Sequence, residues 1–143
     1  MIRTYKALLF LTSMLLAPFV SADLVLVANS ESGIGRLTQN EVINIYLGRY
    51  RRLSTGETAA PIDLSENTDS KATFYRQLVD KNLAEINAYW SRLVFSGKTR
   101  PPQQAETVDE ALELLANNLN ALAYIDRTAV NSKVTIVFEW PEA

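Results

Sequence analysis

The chain has 143 residues with 14 basic and 16 acidic side chains, and its net charge at pH 7 is −2. It contains no cysteine and no histidine, which excludes disulfides, the common zinc ligands and the usual cysteine or histidine nucleophile pairs. Because these ligands and nucleophiles are missing, we expect neither enzyme activity nor a cofactor. The mildly acidic balance offers no general attraction for nucleic acid, so we expect no nucleic-acid partner.

Residues 1–22 have the three-part order of a secretory signal peptide. A basic start precedes an apolar run over residues 7–20, and the small residues Val20 and Ala22 fit a cleavage site. We therefore predict cleavage after Ala22, a single domain over residues 23–143 and a periplasmic location. An uncleaved N-terminal anchor is the alternative, and it also leaves the domain outside the cytoplasm.

The first two elements of the domain are predicted from an apolar run and a helix cap. Residues 24–28 form a continuous valine-rich run, which is typical of a buried strand covered on both faces. Thr38, followed three residues later by Glu41, has the pattern of a capping box and predicts a helix that stops at Gly48.

A turn and a second strand are predicted next. Residues 54–57 are rich in turn-forming side chains and indicate a hairpin-like excursion. Residues 59–64 predict the returning strand, and Pro61 within it indicates an exposed edge or an irregular start.

Two helices should follow, separated near Asp80. Thr68 is the predicted cap of the first helix, and Asn82 with Glu85 opens the second, which ends at residues 95–97. The second helix carries aromatic residues whose spacing favours core packing over stacking on a ligand: Tyr89, Trp90 and Phe95.

The last part of the chain predicts a connection, a helix and two strands. Residues 98–104 are polar and stiffened by prolines, and Thr107 opens an amphipathic helix. Residues 121–125 and 134–138 have strand composition. Strands that alternate with helices predict an α/β fold, with a mixed sheet flanked by helices.

Several segments in order resemble one known family. Residues 37–49, with the sequence Leu-Thr-Gln-Asn-Glu-Val-Ile-Asn-Ile-Tyr-Leu-Gly-Arg, resemble a segment of the phosphate ABC-transporter substrate-binding proteins. Residues 68–74, 89–102 and 121–125 follow in the order and spacing of that family. The resemblance implies a type II periplasmic-binding-protein-like fold, present here as a short single lobe, whereas classical members close two lobes around a cleft.

The resemblance also implies a site for phosphate or a related oxyanion. The family's Gly-Ser-Gly-Thr-Arg loop matches residues 67–71, which here supply two hydroxyls, from Thr68 and Ser70, and the cation of Lys71. Asp69 places a carboxylate where the family has a glycine. Hydroxyls and the unpaired N–H groups of a helix N-terminus suit an oxyanion, and ordinary helix capping is the alternative.

Two further sets of residues are candidate contacts. Ser30 and Ser32 follow the first strand and are candidates for the wall of a cleft, with a plain surface turn as the alternative. A basic cluster is a candidate for docking an anion or a partner, with a solvated surface as the alternative: Arg49, Arg51 and Arg52. The acidic residues between 63 and 69 lack the regular spacing of a calcium loop, so no metal site is predicted.

Two functions are consistent with these patterns. The first is an exported solute-binding protein for phosphate or a related oxyanion, with a membrane transporter or sensor as its partner. The second is a ligand-independent periplasmic adaptor or sensory module that kept the fold and lost the cleft. A homodimer would rebuild a two-sided cleft from two single lobes.

Overall fold

The computed structural model describes residues 23–141, so the predicted signal peptide lies outside the described residues. The strands are β1 (Leu24–Asn29), β2 (Ala60–Leu64), β3 (Gln103–Ala105), β4 (Ala121–Asp126) and β5 (Val134–Glu139). The helices are α1 (Gln39–Tyr46), α2 (Asp69–Val79), α3 (Leu83–Ser96) and α4 (Val108–Asn117), and a short 3-10 turn, Arg127–Ala129, joins β4 to β5. Within residues 23–141 no helix is both long and apolar enough to cross a membrane.

The strands form one mixed sheet in the order β3-β2-β4-β1-β5. β1 is antiparallel to β4 and β5, and β2 is parallel to β3 and β4. Because β1 has a neighbour on each side and helices cover the sheet, its valine-rich run is fully buried. The predicted α/β class with a mixed sheet is therefore confirmed.

The direction of β1 decides which loops meet. Ala28 near the end of β1 pairs with Leu122, and Leu122 also pairs with Pro61 at the start of β2. The carboxyl end of β1 thus lies level with the amino end of β2. Loops that follow β1 and loops that follow β2 consequently emerge at opposite edges of the sheet.

The middle of the chain holds two departures from the sequence predictions. β2 is an interior strand, so the exposed edge suggested by Pro61 is wrong. The alternative, an irregular start of β2, fits the structure, because β3 pairs with β2 only from Ile62 onward. β3 itself was expected to be part of a connection. Its three residues are too few and too polar to show any alternation, and they become a strand by pairing with β2.

The helix boundaries agree with the predicted caps. Both capping boxes are present, with Thr38 accepting from the Glu41 amide at 3.2 Å and Asn82 accepting from the Glu85 amide at 2.9 Å. α3 is followed by Gly97 in the left-handed conformation, as expected of a helix stop. These local signals set the lengths of α1 and α3.

An aromatic cluster fills the space between the helices and the sheet. The rings of Phe74 and Tyr124 stack with centroids 3.9 Å apart, and the ring of Tyr46 meets Phe74 edge-on at 4.8 Å. Trp90 is buried as predicted, but Phe95 is 96% exposed, so its assignment to the core is wrong. Phe95 lies in the last turn of α3, beyond the part of the helix that packs on the domain.

Candidate functional site

A buried carboxylate lies near the carboxyl end of β2. The side chain of Asp63 accepts hydrogen bonds from the Tyr75 hydroxyl, 2.9 Å from each carboxylate oxygen, and from the Tyr124 hydroxyl at 3.0 Å. The Tyr124 oxygen in turn accepts from the Leu64 amide at 2.9 Å. Asp63, Tyr75, Tyr124 and Leu64 therefore form one buried hydrogen-bonded network.

Burial sets the protonation behaviour of this network. Desolvation raises the pKa of the Asp63 carboxyl, although Lys71 and the two tyrosine hydroxyls favour its charged form. The same desolvation, reinforced by the Asp63 charge, raises the pKa of Tyr75 and of Tyr124. Both tyrosines thus remain neutral donors that hold the carboxylate in place.

A buried ammonium faces this carboxylate. The side chain of Lys71 is only 8% exposed, and its Nζ lies 3.9 Å from an oxygen of Asp63 and 3.9 Å from an oxygen of Glu66. Neither distance is that of a hydrogen bond, and no other described residue accepts one from Nζ. Glu66 also accepts from the Asn87 side chain at 2.9 Å. Lys71 therefore forms two long ion pairs and donates no hydrogen bond to a described residue, so its N–H groups remain available to a ligand.

Lys71 borders a groove of about 600 Å³, which we call the ligand groove. Its charged floor consists of Asp63, Glu66 and Lys71, and its walls come from α3 and from the segment that enters β3. The wall residues are largely apolar, and the main ones are Trp90, Val94, Phe95, Pro101 and Pro102. A concave apolar site of this volume with a few convergent polar groups is the usual form of a small-molecule site.

The four residues predicted from the start of α2 do not act together. The Thr68 hydroxyl donates to the Ser65 carbonyl at 2.7 Å and makes no cap bond to the helix. Asp69 is exposed and Ser70 is half-buried, and neither borders the ligand groove. Of the four, the structure places only Lys71 in that groove, because its long side chain points inward from the first turn of α2.

Ser30 and Ser32 lie at the opposite edge of the sheet from this site. The Ser30 amide donates to the Lys133 carbonyl at 2.9 Å, and the Ser32 hydroxyl accepts from the Ile34 amide at 3.1 Å. These contacts are those of a surface turn after β1. The structure does not bring the two serines together with Lys71, because β1 runs antiparallel to β4, and β4 is parallel to β2, the strand that carries Asp63.

The arginine cluster is divided among three environments. Arg49 is exposed, and Arg52 donates to the Gly56 carbonyl at 3.4 Å in the small hairpin. Arg51 turns inward, where its Nε donates to the Ile45 carbonyl at 2.9 Å and its guanidinium lies 5.9 Å from the centre of the Trp90 ring. Burial lowers the pKa of Arg51, while nearby tyrosines favour its charge. Arg51 therefore supports Trp90 and is not part of a solvated patch.

Sequence reasoning missed the buried network, although one signal was present. Asp63 interrupts an otherwise apolar strand, and a carboxylate in such a position must be paired or hydrogen-bonded. Its partners come from 12 and 61 residues away along the chain, so spacing alone could not identify them. No group of three or more acidic, histidine or cysteine side chains within residues 23–141 is arranged to hold a metal ion.

Comparison with known proteins gives structural matches alone, since no family model and no curated sequence matches the chain. The structure is similar to an ABC-type phosphate transport receptor from Vibrio cholerae, with a TM-score of 0.63 at 14% identity, over 81% of this chain and 45% of the receptor. It is also similar to a putative phosphate ABC transporter substrate-binding protein with bound phosphate from Clostridium perfringens, with a TM-score of 0.64 at 16% identity, over 81% of this chain and 44% of that one. The fold expected from the sequence is thereby confirmed, and the chain spans less than half the length of either protein.

Proposed function

We propose that the protein is an exported solute-binding module that holds a protonated oxyanion, inorganic phosphate first, in the ligand groove. One observation carries the proposal: the buried ammonium of Lys71 has no hydrogen-bond acceptor among the described residues and borders a groove of ligand size. The fold, shared with two phosphate-transport proteins, supports phosphate as the first anion to test.

The charges around Lys71 favour an anion that carries a proton. Lys71 lies between Asp63 and Glu66, so an anion without a proton meets repulsion from two carboxylates. A phosphate oxygen that carries hydrogen donates to a carboxylate, and Glu66, whose side chain is 50% exposed, is open to accept it. Sulfate has no such proton at neutral pH. The site should therefore bind phosphate in preference to sulfate.

The ligand groove is open on one side, which suggests that a second surface completes it. The chain covers 45% and 44% of the two phosphate-transport proteins, so the other part of those proteins has no counterpart within it. We propose that a second copy of the chain, or a membrane transporter that receives the ligand, closes the groove. A single open site of this kind should bind weakly and gain affinity when it is closed.

Thermal unfolding with phosphate, and with sulfate at matched ionic strength, tests the proposal. Phosphate at ~100 times its dissociation constant should add about 2.7 kcal/mol of stability, and sulfate should add much less. Lys71→Met should abolish the phosphate-dependent rise in Tm. The matched control is Lys98→Met, which removes an exposed lysine that does not border the groove and should leave the rise intact.

Two results would count against oxyanion binding. One is an equal response to phosphate and sulfate, which would indicate a general salt effect. The other is no response to either anion, which would leave the ligand-independent adaptor as the better candidate. The position of Lys71 between two carboxylates is the observation that favours the adaptor, because it allows the ammonium to be neutralised without a ligand.

A further inference from the structure

A second groove, separate from the ligand groove, lies between α1, the end of α2 and α3. Its volume is about 570 Å³, and we call it the basic groove. Its floor is apolar and consists of Ile43, Leu47, Leu78, Val79, Ile86 and Tyr89. Of these residues only Ile86 also borders the ligand groove. The basic groove is therefore a distinct surface, and inferences about it do not depend on the oxyanion proposal.

Three exposed cations surround this apolar floor. Arg49, Lys81 and Arg92 all border the groove, and none of them lies within ion-pair distance of a carboxylate in residues 23–141. The one acidic residue of the lining, Glu85, is already bonded to the Asn82 amide at 2.9 Å in the capping box. A local positive rim is thus present on a chain whose net charge is −2.

We propose that the basic groove is the docking site for an acidic amphipathic helical segment of a partner protein. An apolar floor between helices fits apolar side chains spaced three and four residues apart on a helix, and the cationic rim fits carboxylates on its flanks. Along α3 the lining extends from Glu85 to Arg92, a length of about 10 Å, which matches roughly two helical turns.

The chain's own N-terminal segment does not have this chemistry. Residues 1–22 carry two cations, Arg3 and Lys6, and no carboxylate, so the rim would repel them. Charge complementarity therefore points to a separate, acidic partner. Electrostatic contacts at such a rim mainly accelerate association and select among partners, and the apolar floor supplies most of the affinity.

Fluorescence anisotropy with labelled model peptides tests this docking site. The probe is a helical peptide of about 14 residues with leucine on one face and glutamate on the other. Its controls are the same peptide with lysine in place of glutamate, and a scrambled acidic peptide of identical composition. The acidic amphipathic peptide should bind in a salt-dependent manner, and the two control peptides should bind at least about tenfold more weakly.

A pair of protein variants locates the binding surface. Arg92→Glu should weaken binding of the acidic peptide about fivefold, because it replaces an attractive contact by a repulsive one. Lys133→Glu makes the same change in net charge at an exposed residue outside the groove and should alter binding less than about twofold.

Three outcomes would overturn the inference. Equal binding of the glutamate and lysine peptides would remove the role of the cationic rim. Equal effects of Arg92→Glu and Lys133→Glu would place the peptide elsewhere. A dimer, detected by sedimentation of the purified protein and lost in Arg92→Glu, would show that a second copy of the chain occupies the groove.

Discussion

Gly48 is the position where a single added carbon should disturb both grooves. It follows α1 with φ +68°, and a Cβ built on it would lie 2.8 Å from Thr99 Oγ1 and 2.9 Å from Trp90 Cη2. Trp90 is a wall of the ligand groove, and its helix, α3, also lines the basic groove. The close approach of Gly48 to Trp90 therefore helps to seat α3 against α1.

The cost of Gly48→Ala has two parts that the structure allows us to separate. The left-handed backbone costs a non-glycine residue about 1 kcal/mol. The overlap adds about 2 kcal/mol, because the added Cβ meets both branches of the Thr99 side chain and also the buried Trp90 ring, which can move only by disturbing the core. Gly97 has nearly the same φ, +69°, with nothing within 4 Å of its Cβ position, so Gly97→Ala reports the backbone part alone.

Urea unfolding of the two variants measures this difference. We expect Gly48→Ala to lower the free energy of unfolding by about 3 kcal/mol and Gly97→Ala by about 1 kcal/mol. Equal losses in the two variants would refute the argument, because they would mean that the contact between Gly48 and Trp90 imposes no packing constraint.

Three further predictions concern the buried network and α3. Tyr124→Phe should cost about 2 kcal/mol in urea unfolding, because the buried Leu64 amide loses its acceptor. Burial raises the folded-state pKa of Asp63 above its unfolded value of about 3.9. The protein should therefore lose stability as the pH rises from about 4 through the folded pKa, and Asp63→Asn should flatten the curve of stability against pH in that range. Phe95→Ser should change stability by less than about 0.5 kcal/mol, whereas Ile86→Ala on the buried face of the same helix should cost about 3 kcal/mol.

A different result would contradict each of these three expectations. A neutral Tyr124→Phe would mean that the Leu64 amide finds another partner. The pH test compares the native protein with Asp63→Asn, because both retain the other carboxyls, such as Glu139, whose pKa is lowered by its bond with Arg36. Parallel curves of stability against pH for the two proteins would contradict a raised pKa for Asp63. A large loss in Phe95→Ser would show that Phe95 is covered in solution, as in a self-associated form.

The fold was largely accessible from the sequence because its signals are local. The apolar run of β1 and the capping boxes at Thr38 and Asn82 depend only on neighbouring residues, and the structure has each element where it was expected. β3 was missed because its three polar residues form a strand only by pairing with β2. Phe95 was misassigned because helical spacing gives the face of a residue but not where the covering surface ends.

The candidate site was less accessible, since it depends on how distant segments meet. Lys71 was identified from its place in a motif, but its partner Asp63 and the tyrosines behind it come together only through the sheet and α2. Ser30 follows a strand, as the sequence indicates, but the direction of β1 places it at the opposite edge of the sheet from Lys71. The direction of a strand is a property of the whole sheet, and no nearby residue encodes it.

Isothermal titration calorimetry of inorganic phosphate into the purified protein at neutral pH tests the central claim most directly. Oxyanion binding in the ligand groove should give a saturable heat that sulfate does not reproduce, that Lys71→Met abolishes and that Lys98→Met preserves. The absence of any saturable heat at millimolar phosphate, or an undiminished signal in Lys71→Met, would contradict the assignment of the ligand groove as an oxyanion site.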